Sequence, residues 1–257
     1  MDMNKKRLAL KKKFLGRKQV FAAWTSLAHP SITEMFARSG VDFIGIDIEH
    51  STISQEQSQR IIAAAQANHT LCLPRIASHN MEMIKRLLDS GADGLIVPMV
   101  NTVEEVERLV DWCKYPPQGR RSFGIARGQG YGFDFEPYVA QWNKVSTLVV
   151  QIESSQGVDN IEGILSCKDV DAAMIGPYDL SGSLGVPGQI THQAVVAASR
   201  KVIAACRKAG KACGTQIVEP DARTIAAAFA EGYTFVVLAS DIFILWKWSE
   251  RIRQLIP

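Results

Sequence analysis

Two carboxylates stand where apolar runs end. Leu148-Val-Val-Gln-Ile closes on Glu153, and after a helical interval Ala172-Ala-Met-Ile-Gly-Pro-Tyr closes on Asp179. Short aliphatic runs bounded by turn residues read as strands buried on both faces, and a carboxylate at such an end must meet a cation or a hydrogen-bonding partner. The two lie 26 positions apart (179 − 153). At the ends of consecutive parallel strands both would reach one rim, where a pair of hard oxygen ligands completed by water and substrate oxygens suits Mg²⁺ or Mn²⁺. Each residue could instead cap a helix or pair with a cation, and Leu180-Ser-Gly after Asp179 is compatible with a cap. Capping does not explain why Glu153 ends the neighbouring run.

Other polar residues follow apolar runs in the same way: Asp47, Glu49 and His50 after the second, Arg75 after the third, Gln216 after the seventh, and Ser240 and Asp241 after the eighth. In a barrel of parallel strands the active site is built at these ends. Histidine titrates near neutral pH and a neighbouring carboxylate can hold its ring, so His50 is the candidate for proton transfer, although a lone histidine can equally be structural. A guanidinium such as Arg75 beside a metal suits the stabilisation of an enolate oxygen.

The elements that must position these residues alternate. Apolar β-type runs occupy 20–26, 42–48, 71–76, 94–99, 147–152, 172–176, 212–218 and 234–239, and helical spacing fills 54–67, 81–88, 103–112, 191–208 and 221–230. Strand and helix in alternation imply parallel strands joined by crossovers, here eight units forming a (β/α)₈ TIM barrel of the α/β class. A doubly wound open sheet is the alternative, but the Gly-x-Gly-x-x-Gly turn it would usually carry after its first strand is absent. Gly40, Gly91, Gly210 and Gly232 each stand between a helical pattern and a strand, where a left-handed residue stops a helix.

The stretch 114–143 breaks the rhythm with Pro116, Pro117 and five glycines between Gly119 and Gly132, and its arginines Arg120, Arg121 and Arg127 face either an anionic ligand or solvent. Residues 242–256 are apolar around most of a helix in their first half and need cover from the barrel or a neighbouring subunit, so a homo-oligomer is expected.

A chain of 257 residues with 47% hydrophobic content has room for one such barrel or two smaller domains, and we read 1–257 as a single barrel domain. The net charge of +3 is too mild to imply nucleic acid. Its visible excess, Lys5, Lys6, Arg7, Lys11, Lys12 and Lys13, reads as a solvated helix face. Five scattered cysteines without a Cys-x-x-Cys pair fit a reducing cytoplasm, and neither a signal peptide nor a membrane span is expected.

The motifs Asp42-Phe-Ile-Gly-Ile-Asp47-Ile-Glu-His50, Leu73-Pro-Arg75, Leu88-Asp89-Ser-Gly-Ala-Asp-Gly-Leu-Ile-Val-Pro98, Tyr115-Pro-Pro-Gln-Gly-Arg120, Gln151-Ile-Glu153 and Gly176-Pro-Tyr-Asp179-Leu-Ser together give a resemblance to the HpcH/HpaI family of class II pyruvate aldolases. The resemblance covers nearly the whole chain. It implies a barrel of the phosphoenolpyruvate/pyruvate type whose last helix is exchanged between subunits of a hexamer, a trimer of dimers. It implies that Glu153 and Asp179 hold the metal, Mg²⁺ or Mn²⁺ with Co²⁺ also suitable. Pyruvate would chelate that ion beside Gln151, with its carboxylate at the backbone amides around Tyr178 and Asp179. His50 with Asp89 would form an acid/base dyad assisted by Asp47, and Arg75 would stabilise the enolate.

The implied reaction is reversible cleavage of a 4-hydroxy-2-oxo acid to pyruvate and an aldehyde through a metal-bound enolate. The alternatives are a Claisen-type citrate- or malate-forming or -cleaving relative that uses a CoA thioester or a second keto acid, and a barrel that only binds a keto acid. Two departures from the family pattern stand out: Ser51 after His50, and Arg121-Ser122 where Arg-Gly is expected. The second suggests that Arg121 meets an anionic group on the acceptor.

Overall fold

The computed structural model describes residues 3–256. Eight parallel strands, β1 Val20–Thr25, β2 Phe43–Asp47, β3 Leu71–Arg75, β4 Gly94–Val97, β5 Thr147–Ile152, β6 Ala172–Ile175, β7 Ala212–Ile217 and β8 Phe235–Leu238, close in sequence order with β8 paired to β1. The helices are α1 Met3–Leu15, α2 Pro30–Ala37, α3 Gln55–Ala67, α4 Met81–Asp89, α5 Val103–Cys113, α6 Phe135–Val145, α7 Ser155–Asp159, α8 Ile161–Ser166, α9 Pro177–Ser183, α10 Gln193–Lys208, α11 Ala222–Glu231 and α12 Asp241–Leu255. This is the expected TIM barrel. Gly40, Gly91, Gly210 and Gly232 take φ of 86°, 99°, 67° and 109°, the left-handed stops their positions predict.

Alternation along each strand divides the core in two. Val20, Ala22 and Trp24 of β1 face inward with Phe43, Leu71, Leu73, Ile96, Val149, Ala172, Met174, Phe235 and Val237, whereas Ile44, Ile46, Cys72, Val97, Val150 and Ile175 pack outward under the helices. Gly45 is needed because the Trp24 ring crosses it, 2.2 Å from where a Cβ would stand.

The basic N-terminal segment corrects the sequence reading. Only Lys5 and Lys12 of its cations are on the exposed face: α1 lies across the N-terminal end of the barrel and drives Leu10 and Phe14 into the inner core. The other cations reach the entrances of the strands. Lys13 pairs with Asp42 at 2.5 Å before β2, Lys6 bonds the His69 carbonyl before β3, and Arg7 pairs with Asp93 at 2.7 Å before β4. Lys11 bonds the Ser146 carbonyl before β5 and pairs with Asp171 before β6, each at 2.9 Å. Arg17, just past the helix, bonds the carbonyls of Lys211 and Gly232 before β7 and β8.

Beside this hub Lys114 is buried, its Nζ bonded to Asn143 O at 3.1 Å, Ser146 O at 3.3 Å and Ser146 Oγ at 2.7 Å. Burial, with Lys11 nearby, holds its pKa down at about 8 against 10.5 for a free lysine. Between those values the unfolded chain carries the proton and the folded chain does not, so stability at this group rises with pH. Urea melts between pH 8 and 10 are expected to show wild type gaining on the order of 2 kcal/mol relative to Lys114→Met. Parallel curves for the two proteins would contradict this.

No helix among the described residues is long and apolar enough to cross a membrane.

Candidate active site

The C-terminal rim gathers four carboxylates around one guanidinium. Asp47 ends β2, and period-two geometry places Glu49 on the same side two residues on. Arg75 ends β3, in register with Asp47. Its Nε and Nη2 reach Asp47 at 3.2 and 2.8 Å, and its Nη1 lies 3.1 Å from Glu49 Oε2. The guanidinium stands 5.1 Å from the centre of the Trp24 ring, so ring and carboxylates fix its plane.

Glu153 follows β5 and is 2% exposed. Met99 N–H donates to its Oε2 at 3.0 Å, from a residue held at φ 51°, and Gln151 Nε2 donates to its Oε1 at 2.5 Å. Gln151 Oε1 is buried without a hydrogen-bond partner. Asp179 is exposed in the first turn of α9 rather than at the end of β6, and the backbone N–H groups of Tyr178 and Asp179 bond to no other described group. Arg75, Gln151, Glu153, Gly176, Tyr178, Asp179, Gln216 and Phe243 line a cavity of about 100 Å³.

Electrostatically the rim is short of positive charge. Burial, followed by the neighbouring Asp179 and Glu49, pushes the Glu153 carboxyl up to about 7 despite the Met99 bond. Glu49 is also raised, chiefly by burial, against the opposing pull of Arg75 and His50. Among the described residues no group of three or more His, Cys, Asp or Glu side chains converges as ready metal ligands. The protein donors facing the cavity are thus Glu153 and Asp179, with Gln151 alongside. These are hard oxygen donors, and the raised Glu153 and the orphaned Gln151 oxygen both fit a divalent cation.

His50 and Asp89 do not meet within the chain. His50 follows β2 at the rim, is 64% exposed in its side chain and stands 3.7 Å from Glu49 Oε2, with its backbone N–H on Asp47 Oδ1 at 3.0 Å. Asp89 is the last residue of α4, which runs antiparallel to the strands, so it lies at the opposite end of the barrel. There it accepts from Arg121 Nη2 at 2.9 Å and Gln129 Nε2 at 3.4 Å. Its place just before the helix-stopping Gly91 was the signal that could have located it.

Arg121 likewise does not face an acceptor. Its side chain is fully buried among the rings of Tyr115, Tyr138 and Trp142, 4.6, 5.5 and 4.7 Å from their centres. Arg120 pairs with Asp111, and Arg127 bonds Gln66 and the Ser90 carbonyl. Glu49, expected as the carboxylate beside the His50 ring, also holds Arg75, a contact its two-residue spacing to Asp47 could have suggested; the contact of the Trp24 ring with Arg75 and that of the Met99 amide with Glu153 have no signal in the sequence.

A closed (β/α)₈ barrel with carboxylates and a fixed arginine at its strand ends has the architecture of a barrel enzyme acting on a small anionic substrate. Residues 21–247 match the model of the HpcH/HpaI aldolase/citrate lyase family. The chain is 35% identical over 243 residues to a hydroxypyruvate/pyruvate aldolase of Roseobacter denitrificans, covering 94% of each. It is 33% identical to a 5-keto-4-deoxy-D-glucarate aldolase of Citrobacter koseri, covering 90% of this chain and 89% of the other. A solved HpcH/HpaI family protein from Burkholderia cenocepacia superposes with a TM-score of 0.90 at 28% identity, covering 96% of this chain and 98% of that one. The chain belongs to the HpcH/HpaI aldolase/citrate lyase family.

Proposed function

We propose that the chain is a divalent-metal-dependent aldolase that reversibly cleaves a 4-hydroxy-2-oxo acid into pyruvate and an aldehyde. The observation that carries this reading is the rim of Asp47, Glu49, Glu153 and Asp179 around the single guanidinium of Arg75, which leaves Glu153 buried and under-compensated. The aldolase names of the relatives supply the reaction class. Glu153 and Asp179 would hold Mg²⁺, Mn²⁺ or Co²⁺. When bound, such an ion supplies Lewis acidity toward the ketone of pyruvate and makes its methyl protons more acidic.

The residues of the chain do the rest. Arg75, its plane fixed by Asp47, Glu49 and Trp24, holds negative charge developing on the pyruvate oxygen. The free amides of Tyr178 and Asp179 receive the carboxylate at the start of α9. Gln151 orients Glu153 and offers its free oxygen to the pocket. His50, exposed at the mouth beside Glu49, moves a proton at the hydroxyl of the aldol.

The working unit is the single barrel in a cytoplasmic homo-oligomer, a hexamer with α12 exchanged. Ile244, Leu245, Trp246 and Trp248 of α12 are exposed, the apolar face that a neighbouring subunit would cover.

The test is pyruvate in deuterated water, followed by NMR of its methyl group. Exchange is expected only with Mg²⁺, Mn²⁺ or Co²⁺ and is expected to survive borohydride, since no lysine imine is involved. Absence of exchange in metal-replete protein would refute the reading.

Gly176 gives a second check, because a Cβ there would stand 2.3 Å from Glu153 Oε1. Its φ of −99° is open to any residue, so Gly176→Ala is expected to act by displacing the carboxylate rather than by backbone strain. The rise in Tm on adding Mn²⁺ should shrink or vanish in this variant, while melting without metal changes little.

A further inference from the structure

We propose that Asp241, the first residue of α12, is a positioning residue that sets the orientation of Arg75 through the end of β1. This inference rests on the role given to Arg75 above. Asp241 is 4% exposed and pairs with no cation among the described residues. Its carboxylate instead gathers neutral donors from the residues that end and follow β1. Oδ2 accepts from Thr25 Oγ1 at 2.7 Å and from Leu27 N at 3.0 Å, and Oδ1 accepts from Ser26 N at 2.9 Å and Ile242 N at 2.8 Å.

Helix capping does not require it, because Ser240 Oγ already accepts from Phe243 N at 3.2 Å. A buried carboxylate held only by neutral donors is costly, and three of the four donors belong to a different element.

That element touches Arg75 twice. Trp24 lies beneath the guanidinium at 5.1 Å, and Ser26 Oγ is 3.4 Å from Asp47 Oδ2, the atom that receives Arg75 Nη2 at 2.8 Å. The relay therefore runs from the N-terminus of α12 through Thr25, Ser26 and Leu27 to Asp47 and Trp24, and from both of these to Arg75. A shift of α12 at its first turn is transmitted to the guanidinium that carries substrate charge.

Asp241→Asn keeps the shape but replaces one acceptor oxygen with an amide that cannot accept from Thr25 or a backbone N–H. Metal-dependent exchange of pyruvate methyl protons is expected to fall about tenfold. Thr25→Val, which leaves α12 untouched, should fall in the same direction, and Thr25→Ser should restore the rate.

The decisive arm is a double-mutant cycle. In an Arg75→Lys background Asp241→Asn should cost little more, because the group it positions is already gone. The same factor in both backgrounds, or no loss in the single variant, would overturn the relay. A crystal structure of Asp241→Asn reads the relay independently of activity: Arg75 is expected to leave its 2.8 and 3.2 Å contacts with Asp47, and an unmoved pair would overturn the proposal. Failure of wild type to exchange would count against the aldolase reading, and the crystal structure would then decide the relay alone.

Discussion

Replacing Glu153 by glutamine is expected to lower metal-dependent exchange of the pyruvate methyl protons by about a hundredfold or more, with the fold intact. A neutral amide of the same length preserves shape but removes one of two ionised oxygen ligands, and the interactions lost at such a site amount to several kcal/mol of transition-state stabilisation. The pH dependence sharpens the expectation. A free glutamate ionises near 4.5, whereas burial holds the Glu153 proton until about 7. Between those values the folded chain binds the proton and the unfolded chain does not, so without metal this group loses stability as pH rises. A divalent ion competes with that proton. The Tm increase produced by Mn²⁺ should therefore grow from pH 5.5 to pH 8 in wild type and stay flat in Glu153→Gln, with differential scanning fluorimetry as the measurement. An increase independent of pH in both proteins would place the ion elsewhere.

Arg121→Met should give the largest loss of stability among single changes in the 114–143 segment, about 3 kcal/mol, or roughly 6–12 °C in Tm. Its guanidinium pairs with Asp89 at 2.9 Å, bonds Tyr138 OH at 3.1 Å and stands beside three aromatic rings. Methionine retains much of the bulk but leaves Asp89 and the Tyr138 hydroxyl without that partner, the costlier half of breaking such a pair. Discrimination between anionic and neutral aldehydes should be unchanged once the variant is folded. A stable variant with altered aldehyde preference would restore Arg121 to the acceptor site.

The strands were legible because each is a short aliphatic run bounded by a turn. The run 147–152 coincides with β5, and 71–76 overshoots β3 by one residue. The rim residues were legible for the same reason, since a charged residue that closes an apolar run has one place to go in a barrel. What failed was long-range pairing. Arg7 and Lys11 looked like solvated charges because their partners, Asp93 and Asp171, lie 86 and 160 positions away. Asp89, paired with His50 by the family resemblance, ends a helix away from His50 within one chain, and Arg121, read as meeting an anionic acceptor from the arginines of its loop, sits in an aromatic box.

The N-terminal helix has a consequence for the order of assembly. Every entrance from β2 to β8 meets a cation from α1 or Arg17, and the last of these acceptors is the Gly232 carbonyl. α1 and Arg17 precede every strand they seat, so during synthesis their cations cannot all be satisfied until the chain has reached the start of β8. The barrel is thus fastened from beneath by the helix that precedes its first strand. A chain stopped short of β8 has no complete seat for α1, because Leu10 and Phe14 pack in the same inner cluster as Phe235 and Val237.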